Sequence, residues 1–203
     1  MLSIDFLVLN DKQRTLAAAE GIETGLMRAN LNVQTADKIK ERYDCVITPG
    51  NSFGHMTGGF DLGVVQVFGR GVQSAVLKMI SEKYNVMMPV GSAEVVVVDG
   101  KAIVYVPTMM APTAMTGVLD PYMLMHQALR AYARHLVEAD TFYARLLCPL
   151  FCTGTGSADP DIALFQQNQA LVEFQAAKHG EDLGCTDLFG DGTDRFTRLL
   201  QGR

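Results

Sequence analysis

The chain has 203 residues, 48% of them apolar and 19% charged, with a formal net charge of −5. That size and balance predict one domain with a sizeable core and exclude a disordered chain. The acidic balance argues against strong electrostatic binding to nucleic acid or an anionic membrane, and no apolar run reaches the length of a membrane span.

An apolar run at residues 4–9 ends at Asn10-Asp11 and predicts a strand followed by a capped helix over residues 11–27. Residues 31–34 carry the weaker pattern of a second strand, 37–41 a single helical turn, and 45–48 a short buried strand. Between residues 61 and 84 the pattern becomes helical. Val65, Phe68, Val72, Val76, Met79 and Ile80 recur at three- to four-residue steps and make one apolar face. Runs at 95–98 and 102–106 flank Asp99-Gly100, the strongest hairpin signal in the chain. Residues 119–137 predict a second long helix with Leu124, Ala128, Ala131 and Leu136 inward, and 146–151 another apolar strand. Asp159-Pro160-Asp161 predicts a helix start, with Asp159 as N-cap and Pro160 at the first helical position. That helix runs to about Lys178 and stops at Gly180.

Strands alternate with helices, and the runs at 45–48 and 146–151 are apolar on both faces. The predicted fold class is α/β, a three-layer α/β/α sandwich with a mixed, mainly parallel sheet. Residues 1–180 form the expected domain. Residues 181–203 are an acidic, polar extension, with a short helix expected at Phe196, Leu199 and Leu200.

The four cysteines, Cys45, Cys148, Cys152 and Cys185, make no Cys-x-x-Cys pair and stand at no metal-like spacing from a histidine. They read as reduced thiols of a cytoplasmic protein, with no metal and no cofactor expected. The start Met1-Leu2-Ser3-Ile4-Asp5-Phe6 lacks the basic residues and cleavage site of a signal peptide.

Two glycine-rich segments carry the chemistry. One follows the strand at residue 45 and runs through Pro49-Gly50-Asn51-Ser52-Phe53-Gly54 to Gly58-Gly59-Phe60-Asp61. The other follows the strand at residue 146 and reads Cys152-Thr153-Gly154-Thr155-Gly156-Ser157. A strand that ends in glycines before a helix leaves bare N–H groups at a helix N-terminus, an arrangement suited to phosphate. Each alone is also an ordinary tight connection; two together point to a ligand with two phosphates. Neither is a Walker A loop, since no Gly-Lys-Ser/Thr follows, and neither fits the dinucleotide fingerprint. Asn51 ends a buried strand, where its amide can both donate to and accept from a sugar hydroxyl. Asp61 starts a helix, either as a first-turn acid favourable to the dipole or as a carboxylate that positions water. His55 reads as a loop residue. Thr153 and Thr155 either bind phosphate or close the turn.

The stretch Ala36-Asp37-Lys38-Ile39 to Asp44-Cys45-Val46-Ile47-Thr48-Pro49-Gly50-Asn51-Ser52 resembles the opening of a macro domain, which reads Gly-Asp-Ile and then Asn-Ala-Ala-Asn-Ser. Asp37 stands fourteen residues before Asn51 and Asp61 ten after it, both family spacings. Gly58-Gly59-Phe60-Asp61 resembles the family's glycine run with its apolar residue and Asp. Pro89-Val90-Gly91-Ser92-Ala93 resembles the entry to its middle hairpin, and residues 149–156 its second phosphate loop. The resemblance covers roughly residues 35–178, and the Asn-Ser-Phe-Gly-x-Met-x-Gly-Gly wording resembles a bacterial or phage branch.

The resemblance implies ADP-ribose, or an ADP-ribosylated substrate, as partner. It implies ligand contacts at Asp37, Ile39, Gly50, Asn51, Gly58, Gly59, Phe60, Asp61, Cys152, Thr153, Gly154, Thr155, Gly156 and Ser157. Asp37 would accept from the adenine amino group, and the backbones of 58–61 and 153–157 would wrap the diphosphate. Asn51 would hold the distal ribose, and Asp61 would position water for hydrolysis of an ADP-ribosyl bond, helped by the diphosphate. Thr48 stands where the family has its first Asn, Gly50 where it has Ala, and Ser157 where it has the last loop glycine. No aromatic occupies 156–158 to cover the ribose. These departures bear more on hydrolysis than on binding. The alternatives are a non-catalytic ADP-ribose or nucleotide-binding module and a scaffold α/β domain.

Overall fold

The computed structural model describes residues 3–7, 26–27, 36–111, 120–140 and 145–178. Its strands are β1 (Ser3–Leu7), β2 (Leu26–Met27), β3 (Cys45–Asn51), β4 (Glu94–Val98), β5 (Lys101–Met109) and β6 (Arg145–Pro149). Its helices are α1 (Ala36–Arg42), α2 (Gly59–Phe68), α3 (Gly71–Tyr84), α4 (Asp120–Glu138) and α5 (Pro160–Lys178).

The strands form one sheet in the order β2-β1-β6-β3-β5-β4. Every pairing is parallel except β4 with β5, the hairpin turned by Asp99 and Gly100 at φ 50° and 74°. Side chains alternate across the sheet with period two. Ile4, Phe6, Cys45, Ile47, Val104 and Cys148 pack with α4 and α5 residues such as Leu124, Leu129 and Leu164. Leu7, Val46, Ile103, Tyr105 and Leu147 pack on the other face with Ile39 of α1, Val64 and Phe68 of α2, and Val72 and Ile80 of α3. Each fully buried Val, Ile or Leu side chain contributes about 1.5–3 kcal/mol of transfer free energy, and the two clusters make the sandwich.

The apolar face expected over residues 61–84 is divided between two helices. Gly69 closes α2 at φ 91°, and its N–H donates to the Val65 carbonyl at 2.8 Å. A left-handed glycine ends a helix without a Cβ penalty. The apolar period continues past the break because both helices pack on the same sheet face. Leu26 and Met27 are also not helical: they pair with Phe6 and Leu7 as an edge strand, which covers the outer edge of β1 at those two residues. The rest of the helix expected at 11–27, the strand at 31–34, Cys185 and the extension 181–203 lie outside the described residues.

α5 begins where its cap predicts. The N–H groups of Asp161 and Ile162 donate to Asp159 Oδ1 at 2.8 and 3.3 Å. Among the described residues no helix is long and apolar enough to cross a membrane.

Candidate functional site

The parallel strands β1, β6, β3 and β5 all run toward one edge, and ligands of such sheets bind beyond the carboxyl ends of the strands. A cavity of about 680 Å³ lies there. Each of the four strands brings its end to it: Leu7, Pro149, Pro49 to Asn51, and Thr108 with Met109.

The first loop is built by Asn51 on itself. Asn51 Oδ1 accepts from the N–H groups of Phe53 and His55 at 3.0 and 3.4 Å, and Nδ2 donates to the His55 carbonyl at 2.7 Å. The side chain forms the turn and keeps one amide hydrogen free of these bonds. The Asn51 main chain is held from below by Tyr105. The Asn51 N–H donates to the Tyr105 hydroxyl at 3.1 Å, and that hydroxyl donates to the Asn51 carbonyl at 2.8 Å. This bridge sits at a β-bulge, where Gly50 pairs with Pro107 but Asn51 pairs with Met109. A Cβ on Gly50 would meet the Tyr105 hydroxyl at 2.1 Å, which explains glycine at a position where the family pattern has alanine.

Gly58 caps α2 with no side-chain hydrogen bond, so the first-turn N–H groups are left uncapped. Gly58, Gly59 and Phe60 line the cavity, and an added Cβ at Gly58 or Gly59 would meet nothing within 4 Å. Asp61 follows, 7% exposed. Thr48, on β3 and fully buried, donates its hydroxyl to Asp61 Oδ1 at 2.6 Å. Burial pushes the Asp61 carboxyl up to about 7, and the Thr48 hydrogen bond pulls the other way. The Tyr105 hydroxyl is raised above its ordinary range by burial first, then by the Asp61 charge.

The second loop hangs on Gln167 of α5. Gln167 Oε1 accepts from the Phe151 N–H at 2.7 Å, and Nε2 donates to the Pro149 carbonyl at 3.0 Å. Thr153 closes the turn, its hydroxyl donating to the Leu150 carbonyl at 2.9 Å. The Ala158 N–H returns to the Cys152 carbonyl at 2.9 Å. Cys152 and Ser157 lie at φ 64° and 57°, a region few non-glycine residues adopt. Ser157 thus holds the left-handed conformation for which the family pattern uses glycine.

Both loops meet in this one cavity. Gly50, Asn51, Gly58, Gly59, Phe60, Asp61, Cys152, Thr153, Gly154, Thr155 and Gly156 all line it. Asp37, Ile39 and Ser157 are not among the lining residues. Asp37 is exposed in the first turn of α1, Ile39 is buried in the core, and Ser157 is exposed at the loop's end. Sequence reasoning missed Leu7, Thr57, Met109 and Pro149 as lining residues, and Thr48 beneath them. His55, read as a loop residue, also lines the cavity. Among the described residues no Lys or Arg lines it, and no group of three His, Cys, Asp or Glu stands close enough to hold a metal ion.

The macro-like domain family matches residues 15–163. The fold is similar to an Oceanobacillus iheyensis macrodomain with ADP, at TM-score 0.53 and 14% identity over 64% of this chain and 68% of that one. A mutant of that macrodomain with ADPR gives TM-score 0.52 and 14% identity over 64% of this chain and 70% of that one. Thermosipho africanus DarTG in complex with ADP-ribose gives 0.50 and 12% identity over 83% of this chain and 50% of that one. No curated protein matches the chain. At these identities the structural likenesses speak for the fold. The family match over residues 15–163 speaks for descent: the chain belongs to the macro-like domain family.

Proposed function

We propose that the cavity binds ADP-ribose or an ADP-ribosyl group and hydrolyses the bond to its carrier. One observation carries the reading: two glycine-rich loops and the uncapped N-terminus of α2 meet around a single cavity with Asp61 buried in its wall. Backbone N–H groups and a helix dipole hold a diphosphate without cationic side chains. Two of the similar structures hold ADP-ribose or ADPR, and a third holds ADP.

In this reading the distal ribose lies by Asn51, whose remaining amide hydrogen serves it. Ionised Asp61 accepts a hydrogen bond from a water beside the anomeric carbon. The water oxygen bonds to that carbon, and the bond to the carrier breaks. The carrier leaves with the electron pair, and the proton that the water loses ends on the carrier. Asp37 reaches the adenine amino group from α1. The bacterial or phage placement rests on the wording of residues 51–59 and 107–112.

A non-catalytic ADP-ribose binder is the second reading, favoured by the commitment of Asn51 Oδ1 and one amide hydrogen to its own loop. Incubation with mono-ADP-ribosylated protein and DNA separates the two. The hydrolytic reading expects wild-type release of ADP-ribose, with a loss of about 100-fold in Asp61→Ala at unchanged ADP-ribose affinity. Binding without release by the wild type supports the second reading.

A further inference from the structure

We propose that Thr48 is a positioning residue for Asp61, fixing which carboxyl oxygen serves the cavity. The inference deepens the proposed function and rests on its assignment of Asp61.

Thr48 is fully buried and does not line the cavity, so it acts on a ligand only through another group. Its hydroxyl donates to Asp61 Oδ1 at 2.6 Å. Among the described residues no donor reaches Oδ2. Asp61 itself lines the cavity, so Oδ2 is the oxygen left to act there. Thr48 is β-branched, which restricts χ1, and its strand is held in register by β5 opposite Tyr105 and by β6 at Cys45 and Val46.

Register supplies the second support. Thr48 is the ladder partner of Tyr105 across β3 and β5. Partners in a parallel ladder show their side chains on one face, the face that α2 covers. Two buried hydroxyls thus stand side by side beneath the cavity. Thr48 holds the carboxyl of Asp61, and Tyr105 holds the main chain of Asn51. Among the described residues, Thr48 from β3 donates to Asp61, the Tyr105 hydroxyl from β5 feels the Asp61 charge, and His55 from the first loop lines the same cavity. Thr48 favours the ionised carboxylate; burial opposes it.

The test follows the Asp61 carboxyl directly, by carbon NMR titration of the full chain labelled at aspartate, with Asp61→Asn to assign the signal. Wild type, Thr48→Val, Thr48→Ala and Thr48→Ser are compared, alongside release of ADP-ribose from mono-ADP-ribosylated protein. Val and Ala remove the donor and Ser keeps it, so Ala serves if the Val chain does not fold. The expected result is an Asp61 titration moved to higher pH in Val and Ala and restored in Ser. The turnover rate should fall by roughly tenfold or more at neutral pH in Val and Ala, with ADP-ribose affinity held. An Asp61 titration in folded Val or Ala that coincides with wild type overturns the proposal. So does an equal loss in Ser, which would indicate packing. Wild-type protein without turnover but with the shifted titration in Val and Ala upholds the Thr48–Asp61 link and removes the hydrolytic reading instead.

Discussion

The hydroxyl of Tyr105 fills the place that a Cβ on Gly50 would take, 2.1 Å from it, with the ring carbons Cζ and Cε2 at 2.3 and 2.5 Å. The glycine and the tyrosine are one packing unit, and the bulge that presents Asn51 to the cavity depends on both. Gly50→Ala should therefore destabilise by about 1–3 kcal/mol through overpacking. Tyr105→Phe does not relieve it, because the ring atoms clash as well. Alone, that substitution removes both hydrogen bonds to Asn51 and should cost about 1–3 kcal/mol. Urea unfolding of the single and double variants checks this: Gly50→Ala with Tyr105→Leu should be less destabilised than the sum of its parts.

Asp61 gives the protein a pH signature. Its folded-state carboxyl titrates near 7, above the ordinary 3.8, because burial disfavours the charge. Between those values the folded chain binds more protons than the unfolded one, so this group's contribution to stability falls as pH rises through the window. The full penalty, present above about pH 7, is on the order of 4 kcal/mol. Asp61→Asn should flatten the loss between about pH 4 and 7, as read by melts at each pH. Turnover by the wild type should rise through about pH 7 as the carboxylate forms.

Ser157 stands at φ 57°. Glycine adopts that conformation without the steric cost a side chain carries, so Ser157→Gly should stabilise by about 0.5–1 kcal/mol. Chemical denaturation gives the number directly; a destabilised Ser157→Gly chain would show that the serine's own contacts outweigh the backbone strain.

Asp37 is exposed in the first turn of α1 and does not line the cavity. If it accepts from the adenine amino group, Asp37→Ala should weaken AMP and ADP-ribose by about 1.5 kcal/mol, the low end for a charge-assisted hydrogen bond. Ribose 5-phosphate, which has no base, should bind both chains alike. Calorimetry with the three ligands separates an adenine contact from a general effect of lost charge.

The glycine loops were legible in the sequence because their logic is local. A strand, its glycines and the next helix lie within a few residues of one another, and Asp159 announces α5 in the same way. What escaped was set by the sheet. Thr48 and Asp61 are thirteen residues apart and meet only because β3 turns Thr48 toward the face that α2 covers. Leu7 and Met109 reach the cavity because β1 lies beside β6 and β5 beside β3, an order no short window contains. Gly69 hid inside a continuous apolar period, since α2 and α3 cover one face, and Leu26-Met27 carries too few residues to show a strand period.

In the proposed function the two loops form one ADP-ribose site. Calorimetric titration of the wild-type chain with ADP-ribose tests it most directly. Saturable one-to-one binding, stronger than that of AMP, is expected, because the proposed site takes the second phosphate and the distal ribose between residues 50–61 and 152–156. No binding of ADP-ribose at millimolar concentration would contradict it.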